Sequence, residues 1–586
     1  MYILGINGRP ATGVKRLNGH GGRHNSAACL LKDGELLSFV EEERFTHVKQ
    51  DGSFPINSIN YCLEHAGITI DDVDHVAIGW LSAADTVRNR ISVFTTSGLM
   101  LKVPTYCAGM VFFAVMDWRG GDIPGALRRH FPRTSFKQKT FHFVPHHLAH
   151  AASVFRTSGY DRAAILTIDG AGETTATMLA FGRGNEITVH EEFKLPDSLG
   201  FCYSGFTEYL GFEKNNDEYK VMGLAAYGEP ECAVDDIMQV DGDGSYRVAV
   251  DYIYHFDPTR RSYDYSRMSK RFGPARDNDG APITETQKNV AASIQRQLER
   301  AGVGLARRVL DAGGDDNLCL AGGVTLNCKM NKAIREENDL GDGDLYIQPA
   351  AADMGVALGA ALEVYARLGN ESKFRMDHAY WGPEYSNEQI ESALRAGNLS
   401  YEKSADIAFD AAGYIAEDKV VGWFQGRLEV GPRALGNRSI LANPCTPGMN
   451  DVVNEKIKFR EKWRPFCPSM LDEVKDRYLE RACESPFMNL TFTVREEMRP
   501  HIPAVVHVDG TARPQTVRRE INPRYYKLIE KVGELTGHAV VLNTSFNVKG
   551  DTIVNTPEDA VRTFLSTEMD VLAIGDYIVR RNDAQV

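Results

Sequence analysis

The sequence lacks several patterns that would assign it to a familiar enzyme class. Its ten cysteines are scattered without a CxxC pair, so neither a zinc knuckle nor a disulfide framework is expected. It has no Gly-Lys dipeptide and therefore no phosphate-binding loop of the Walker A type. The GxSxG motif of serine hydrolases is missing too. Two acidic stretches, 241–246 and 341–345, lack the spacing of an EF-hand calcium loop and are predicted to be turns.

Length and charge narrow the remaining classes of protein. The chain has 586 residues, which is more than one hydrophobic core usually supports, so at least two domains are expected. Its formal net charge of −13 argues against a nucleic-acid-binding surface but is compatible with local cationic pockets for small anions. With 43% hydrophobic and 25% charged residues, the composition is typical of a soluble globular protein.

Neither a targeting segment nor a membrane segment is expected. The first ten residues have no charged leading region and no cleavage-like site, so we predict a strand rather than a signal peptide. The most apolar stretch, 98–118, is interrupted by Lys102 and Pro104 and lacks the clean span of a membrane helix. We predict that it is buried or lines a pocket for an apolar acceptor. The scattered cysteines favour a reducing cytoplasm.

Two stretches of the chain share one order of elements. In each, a strand and a hairpin precede a helix, and Asp33-Gly34 between apolar runs is a strong hairpin signal. An Asp-Gly turn closes a strand at Asp169, and another apolar strand ends in AGGVTLN, residues 321–327. Glycines after a strand let backbone N–H groups approach a phosphate closely. This α/β pattern resembles the duplicated ribonuclease-H-like core of the actin, sugar-kinase and acetate-kinase superfamily.

The character of the chain changes near Asp377. We therefore divide it into a first domain of residues 1–376 and a second domain of residues 377–586, for which an α+β fold is predicted. Residues 83–140 of the first domain are predicted to be an irregular insertion. In the second domain we predict helices over 387–397 and 408–418 and strands over 420–426, 487–494, 539–547 and 571–579.

The stretch VPHHLAHAAS, residues 144–153, contains three histidines at the start of a predicted helix. His146 and His150 are one helical turn apart and share a face, whereas His147 points elsewhere. A metal site, a catalytic base with a companion, and polar residues at a helix start all fit this pattern.

Cationic residues cluster in the second domain among glycine, proline and tryptophan rather than in amphipathic helices. Arginine forks and hydroxyl groups at a strand end suit the oxygens of a triphosphate. The alternative is a surface of ordinary ion pairs. The cluster consists of Arg427, Arg433, Arg438, Lys456, Lys458, Arg460, Lys462, Arg464 and Arg513, with Asn543, Thr544, Ser545 and Asn547 at a strand end.

Nine motifs in a fixed order resemble the carbamoyltransferase family of nodulation-factor, cephamycin and tobramycin O-carbamoyltransferases. The resemblance extends from Met1 to about residue 580. The motifs are EEERFTHVK, HHLAHAAS, TIDGAGE, VMGLAAYG, AGGVTLN, GRLEVGPRALGNRS, WRPFCPS, RPQTV and LNTSFN.

The resemblance implies a two-step reaction. The first domain would be similar to the tRNA-threonylcarbamoyl transferase subunit, and the second to the fold of threonylcarbamoyl-adenylate synthase. The second domain would make carbamoyl-adenylate from carbamoyl phosphate and magnesium-bound ATP. The first would move the carbamoyl group to a hydroxyl of a small natural product, for which the apolar stretch 98–118 favours a polyketide or macrolide in antibiotic biosynthesis. Relatives suggest a homodimer. A sugar-kinase-like phosphotransferase and a non-catalytic binding protein of the same fold are the alternatives.

The family also implies roles for individual residues. His24 and Lys49 would be catalytic, with His24 as the general base. A divalent metal, which the family suggests is iron, would be held by His146, His150, Asp169 and Asp353. Carbamoyl-adenylate would be bound by Gly322, Gly323, Thr325 and Asn327. ATP would be bound by Arg433, Arg464, Arg513 and Asn543, and carbamoyl phosphate by Lys458, Arg460 and Ser545.

Several of these assignments have alternatives. The family usually has Asp after the base histidine, where this chain has Asn25, and the preceding loop is longer than usual, so His20 is a rival for His24. Asp353 could cap its helix instead of binding a metal. Asp169 could be a turn former.

Overall fold

The computed structural model separates into two compact units. The first comprises residues 1–42 and 50–376, and the second comprises residues 43–49 and 377–586. Residues 43–49, which the sequence-based division placed in the first domain, therefore belong to the second unit. The structure describes residues 1–8, 24–96, 122–136, 139–253, 261–371 and 374–581, so His20 and the apolar stretch 98–118 lie outside the described residues. Within the described ranges, no helix has the length and apolar character needed to cross a bilayer.

The first unit contains two five-stranded sheets with the same topology. In the first sheet the strand order is β3-β2-β1-β4-β5, with β2 antiparallel to both β1 and β3, and with β4 parallel to both β1 and β5. Its strands are β1 Tyr2–Asn7, β2 Ala27–Lys32, β3 Glu35–Glu41, β4 His75–Ile78 and β5 Thr140–Phe143.

The second sheet repeats this arrangement. Its order is β12-β11-β6-β7-β8, with an antiparallel meander through β6, β7 and β8 and with β11 parallel to β6 and β12. The predicted duplicated ribonuclease-H-like core is thereby confirmed. The strands are β6 Arg162–Ile168, β7 Thr175–Arg183, β8 Glu186–Lys194, β11 Leu318–Ala321 and β12 Leu345–Ile347, and a separate hairpin is formed by β9 Met238–Val240 and β10 Tyr246–Val248.

The hairpin turn predicted from Asp33-Gly34 is present between β2 and β3. Both turn residues have positive φ, 50° for Asp33 and 85° for Gly34. This conformation matches the right-handed twist of the flanking strands, which is why an Asp-Gly pair marks a hairpin.

Helices cover the sheets of the first unit. The described part of the predicted irregular insertion contains two of them, Ala83–Thr96 and Ile123–His130, so this part is more ordered than expected. The other helices of this unit are Ile56–His65, His146–Phe155, Leu199–Tyr209, Glu218–Leu224, Tyr265–Phe272, Glu285–Gly313, Cys328–Glu337 and Met354–Arg367.

The second unit is built around a mixed eight-stranded sheet, which confirms the predicted α+β class. The strand order is β13-β22-β21-β14-β15-β20-β16-β19. These strands are β13 Glu402–Lys403, β14 Val421–Phe424, β15 Arg438–Ala442, β16 Cys467–Leu471, β19 Gln515–Val517, β20 Val540–Ser545, β21 Val571–Ile574 and β22 Tyr577–Arg580, and β17 Phe492–Thr493 pairs with β18 Thr511–Ala512. The helices are Glu43–Thr46, Asn387–Ala396, Ile407–Ala416, Met449–Val452, Lys475–Tyr478, Pro523–Thr536 and Pro557–Leu565.

Two strand predictions in the second unit need correction. The stretch 487–494 forms only the short strand β17, because its backbone pairs only with Thr511–Ala512 among the described strands. The stretch 571–579 is a hairpin of β21 and β22 rather than one strand. Gly575, with φ of 55°, turns the chain between them.

Close packing of the helices His146–Phe155 and Met354–Arg367 depends on Gly359. A Cβ atom at this position would lie 1.8 Å from the carbonyl oxygen of Ala149. Each helix also carries or adjoins predicted metal ligands, so this contact determines how closely the ligands can approach.

We predict that Gly359→Ala destabilises the first unit by about 1–3 kcal/mol, because the added methyl group must push backbone apart in a packed interior. Thermal unfolding measures the change. Gly413→Ala is the matched control, since a Cβ at this helical glycine meets nothing within 4 Å. This control should raise stability by up to about 1 kcal/mol through helix propensity alone. Equal effects of the two substitutions would contradict the packing argument.

Candidate functional site

Four predicted ligands converge in the first unit. His146 and His150 project from the helix His146–Phe155, Asp169 follows β6, and Asp353 precedes the helix Met354–Arg367. All four side chains are buried, and one donor atom from each lies within 4.8 Å of the other three.

The donor atoms are close enough to share one cation. His146 Nε2 lies 3.1 Å from His150 Nε2 and 3.3 Å from Asp169 Oδ2. Asp353 Oδ1 lies 3.6 Å from Nε2 of His146 and 3.7 Å from Nε2 of His150. Two imidazole nitrogens and two carboxylate oxygens form a mixed set that suits iron, manganese or zinc better than magnesium.

The carboxylates are not explained by local structure. No donor among the described residues makes a hydrogen bond to the buried atom Asp353 Oδ1. Asp353 also makes no capping hydrogen bond to its helix, so the alternative cap role is not supported. Asp169 Oδ1 accepts from the backbone N–H of Gly323 at 3.0 Å, while its Oδ2 faces the histidines. These residues fit a divalent metal ion.

Neighbouring groups hold His146 in place. Its Nδ1 donates to the carbonyl of Gly79 at 3.3 Å, which leaves Nε2 as the ligand atom. Its backbone N–H donates to Glu173, whose carboxylate also accepts from Leu81 N at 2.7 Å. The ring of Trp80 packs against the imidazole with centroids 3.9 Å apart.

The pKa values of His146 and His147 differ because their surroundings differ. Burial lowers the pKa of His146, but the carboxylates of Asp353 and Asp169 outweigh it and raise that pKa to about 10. Burial lowers the pKa of His147 to about 3, and its Nδ1 shares a 2.7 Å hydrogen bond with Thr167 Oγ1. His147 is therefore a neutral, structural residue, as the helical spacing suggests.

His24 lies beside the donor set. Its Nδ1 is 3.9 Å from Asp353 Oδ2, and 40% of its side chain is exposed. This position leaves the imidazole accessible to a substrate hydroxyl. The rival base, His20, lies outside the described residues.

The glycine-rich stretch after β11 contributes mainly backbone. Gly322 has φ of 98°, and a Cβ there would lie 2.2 Å from the Ile168 carbonyl oxygen. Thr325 Oγ1 donates to the carbonyl of Gly322, and Asn327 caps the following helix while its amide pairs with Gln295. The side chains of Thr325 and Asn327 therefore have structural partners. The predicted role of Gly322, Gly323, Thr325 and Asn327 in binding carbamoyl-adenylate stays a prediction.

In the second unit, the residues predicted to bind ATP and carbamoyl phosphate lie towards one end of the eight-stranded sheet. Strand β20 ends there. Strands β15 and β16 begin there because both are antiparallel to β20, and β19 begins there because it is parallel to β16. Asn543 and Ser545 lie on β20, and Arg464 and Arg513 lie three and two residues before β16 and β19. Arg433 lies five residues before β15, Lys458 and Arg460 lie nine and seven residues before β16, and Lys458 Nζ donates to the carbonyl of Ser545.

Lys458 is buried at this end of the sheet without a carboxylate partner in its hydrogen bonds. Its Nζ donates to both the carbonyl and the side-chain oxygens of Ser545 and Asn547, at 2.6–3.3 Å. Burial, together with Arg460, Arg464 and Lys49, holds the pKa of Lys458 well below its usual range. The concentration of positive charge favours an anionic ligand.

The other predicted ligands differ in their surroundings. Arg513 directs Nε and Nη2 at the sulfur of Cys467, at 3.1 and 3.0 Å. Arg460 Nε donates to the side chain of Asn454 at 2.6 Å, and its guanidinium lies over the ring of Phe466. The Arg464 side chain is only 14% exposed, and its Nη1 lies 3.9 Å from Glu461 Oε2.

Asn543 is buried in a polar group inside the sheet. Its amide nitrogen donates to the carbonyl of Ala434 and the side chains of Ser469 and Gln515. Its Oδ1 has no hydrogen-bond donor among the residues that the structure describes. Asn543 thus ties the loop that carries Arg433 to the sheet.

Two of the clustered arginines have structural contacts. Arg438 is fully buried and donates to the carbonyls of Gln425, Gly426 and Pro383. Arg427 donates to the carbonyls of Gly382 and Trp381. For these two, the interpretation as triphosphate ligands is replaced by a role in holding loops.

Residues 43–49 supply side chains to the second unit. The buried Arg44 donates to the carbonyl of Gly431 at 2.7 Å. His47 lies 3.5 Å from Asp551 and 3.4 Å from Asp559. Lys49, for which a catalytic role is predicted, is among the cations around Lys458.

Sequence reasoning missed three residues that organise these sites. Glu173 and Trp80 contact His146, as described above. Glu429 accepts hydrogen bonds from the backbone N–H groups of Leu435, Asn437 and Arg438, which shapes the loop around Arg433. The only sequence signal is that Glu173 and Glu429 lie inside the motifs TIDGAGE and GRLEVGPRALGNRS.

Comparison with known families agrees with the motifs. The family model described as Carbamoyltransferase N-terminus matches residues 15–362, and that described as Carbamoyltransferase C-terminus matches residues 412–581. Since the first match alone spans more than half of the chain, the protein belongs to the carbamoyltransferase family. The predicted family is confirmed.

Curated relatives support the same conclusion. Nodulation protein NolNO of Sinorhizobium fredii is 39% identical over 573 residues, covering 96% of this chain and 79% of its own. The 3'-hydroxymethylcephem-O-carbamoyltransferase of Streptomyces clavuligerus is 30% identical over 383 residues, covering 65% of this chain and 68% of its own. Nodulation protein U of Rhizobium tropici is 28% identical and covers 90% of both chains.

Solved structures give weaker similarities. Full-length HypF in a phosphate- and nucleotide-bound form has a TM-score of 0.32 at 13% identity, covering 64% of this chain and 56% of HypF. ROK hexokinase from Thermus thermophilus has a TM-score of 0.28 at 16% identity, covering 63% of this chain and all of the hexokinase. Scores of this size do not define a fold, which rests here on strand order.

We predict that His150→Ala weakens binding of a divalent ion such as Co²⁺ by more than about 100-fold, since even partners of metal ligands contribute about 10–100-fold. Calorimetric titration of the metal-free protein measures the affinity. His142→Ala is the matched control, because His142 pairs with His75 in the same unit, away from the donor set. Unchanged Co²⁺ affinity in His150→Ala would contradict the assigned ligands.

Proposed function

We propose that the protein is an ATP-dependent O-carbamoyltransferase that acts through carbamoyl-adenylate. The observation that carries the proposal is the group of cations at one end of the eight-stranded sheet, in which Lys458, Arg464 and Arg513 accompany the buried amide of Asn543. A kinase that used the first unit alone would leave this group without a role. The family membership limits the transferred group to carbamoyl.

The second unit would carry out adenylation. Hydrolysis of carbamoyl phosphate gives carbamate and phosphate. A carbamate oxygen then forms a bond to the α-phosphorus of ATP as the bond to pyrophosphate breaks. Arg433, Arg464, Arg513 and Asn543 would bind ATP with its magnesium, and Lys49, Lys458, Arg460 and Ser545 would bind the carbamoyl phosphate side. Fixed cations stabilise the negative charge that develops on the phosphate oxygens.

The first unit would carry out transfer. The acceptor oxygen forms a bond to the carbamoyl carbon, the electron pair of the breaking C–O bond leaves with AMP, and His24 takes the hydroxyl proton. The stretch with Gly322, Gly323, Thr325 and Asn327 would hold the adenylate. A divalent ion, for which the family resemblance favours iron, would be held by His146, His150, Asp169 and Asp353. When bound, it would supply Lewis-acid polarisation of the carbamoyl and phosphate oxygens.

The acceptor is proposed to be a hydroxyl of a small molecule. The suggestion of a polyketide or macrolide depends on the apolar stretch 98–118, which lies outside the described residues, and it stays a prediction. The homodimer and the cytoplasmic location stay predictions as well. Screening hydroxyl compounds for a carbamoylated product by mass spectrometry tests the acceptor class, and carbamoylation of hydrophilic sugars alone would contradict the polyketide suggestion.

One incubation separates this function from its alternatives. Labelled carbamoyl phosphate and ATP, with no acceptor, should release pyrophosphate and form carbamoyl-AMP or its hydrolysis product AMP. ADP as the only nucleotide product would instead indicate a kinase. No turnover of either substrate would indicate a binding protein.

We predict that Arg513→Met lowers kcat/KM for ATP in pyrophosphate release by about 10- to 100-fold, because a charged hydrogen bond contributes about 1.5–3 kcal/mol. Arg519→Met is the matched control, since Arg519 forms an exposed ion pair with Glu530 in the same unit. Comparable losses in both variants would contradict a specific role for Arg513.

A substitution in the first unit should impair carbamoyl transfer without affecting adenylation. His150→Ala should release pyrophosphate at the wild-type rate while losing carbamoyl transfer, because its side chain belongs to the first unit. Product formation by mass spectrometry and pyrophosphate release are measured on the same sample. Full transfer by this variant would show that the donor set is not needed.

A further inference from the structure

Asn7 is a fully buried polar residue at the end of β1 to which no role has been given so far. Its amide nitrogen donates to the carbonyls of His24 and Asn25, at 3.2 and 3.0 Å. Its amide oxygen accepts from Trp80 Nε1 at 2.9 Å. Both donors and the acceptor of the amide are therefore used inside the protein.

The two donated bonds fix the backbone that carries His24. Residues 8–23 separate Asn7 from His24 along the chain, and the Asn7 amide bonds directly to the backbone of His24 and Asn25. Asn25 has φ of 54°, a conformation that few residues other than glycine adopt, so a fixed carbonyl on each side stabilises it. In this arrangement His24 Nδ1 lies 3.9 Å from Asp353 Oδ2.

The accepted bond fixes a second part of the site. Trp80 follows β4 and packs its ring against the imidazole of His146 at a centroid distance of 3.9 Å. A hydrogen bond from its indole N–H to Asn7 keeps the ring in this orientation. One amide thus contacts the backbone of the proposed base and the ring that packs on a proposed metal ligand.

We infer that Asn7 is a positioning residue that holds His24 next to the donor set during carbamoyl transfer. The inference rests on the proposed function, in which His24 is the general base. An apolar residue would fill this buried position in the sheet at no desolvation cost, whereas a buried amide is favourable only when its hydrogen bonds are made. The amide is explained by the two carbonyls and the indole that it joins.

Asn7→Asp tests the inference with a side chain of the same shape. The variant keeps an oxygen for Trp80 Nε1 but places a second oxygen, instead of an N–H donor, against the carbonyls of His24 and Asn25. Water serves as the probe acceptor, so that AMP release from ATP and carbamoyl phosphate reports the transfer step. We expect kcat for AMP release to fall about 10- to 100-fold, as for other displaced catalytic groups, with unchanged KM values for both substrates.

Local and global readouts distinguish positioning from simple stability. Hydrogen exchange at the amides of residues 24–26 should rise in Asn7→Asp, while Co²⁺ affinity measured by calorimetry stays within about twofold. If Asn7→Asp does not fold, Asn7→Ser provides an uncharged substitute for which the same changes are expected in smaller degree. Wild-type exchange at residues 24–26 together with wild-type AMP release would overturn the inference.

A double-mutant cycle with His24→Ala gives the sharpest distinction. If Asn7 acts through His24, the double variant should be no slower than His24→Ala alone, because neighbours that act as a unit are not additive. Additive losses would overturn the inference and leave Asn7 a structural residue.

Asn338→Asp is the matched control. Its amide also donates to two carbonyls, those of Ile334 and Val303, at a helix end in the same unit. Wild-type AMP release and wild-type exchange at residues 24–26 are expected for it. If the wild-type protein itself releases neither pyrophosphate nor AMP, the proposed function fails, whereas the exchange measurement still decides whether Asn7 holds residues 24–26.

Discussion

Two carboxylates buried against two imidazoles are the constraint on which the first unit depends. Burial alone would raise the pKa of Asp169 and Asp353, yet the adjacent histidines hold both below the usual range. Buried charges of this kind require a partner, and a divalent cation would satisfy all four donors at once. The duplicated sheets provide the geometry, because β6 ends at Asp169 and Gly359 lets the two ligand-bearing helices pack closely.

The second unit has the opposite electrostatic character. Its cations gather at one end of a mixed sheet, where Lys458 is buried among backbone and amide oxygens and Arg460, Arg464 and Lys49 lower its pKa. Such a site favours a highly charged anion, whereas the donor set of the first unit favours a cation. This difference is the physical basis for assigning adenylation to one unit and transfer to the other.

Local patterns predicted the parts of the structure that depend on short-range geometry. The Asp33-Gly34 pair predicted the hairpin of β2 and β3, and the four-residue spacing of His146 and His150 placed both on one helix face. The structural uses of Asn327 and Glu173 were not predicted. Asn327 has a local signal, since Asn before a helix is a favourable N-cap. Glu173 joins elements that are far apart in sequence, and a single sequence contains no record of such contacts.

The central claim is that each unit carries one half of the reaction, and carbamoyl-AMP supplied directly to the Arg513→Met variant tests it. The measurement is AMP release with a hydroxyl acceptor or water. The account predicts that Arg513→Met releases AMP from carbamoyl-AMP at the wild-type rate, because the proposed transfer residues belong to the first unit and are intact in this variant. If this AMP release were slowed as strongly as pyrophosphate release from ATP, the division of the reaction between the two units would be contradicted.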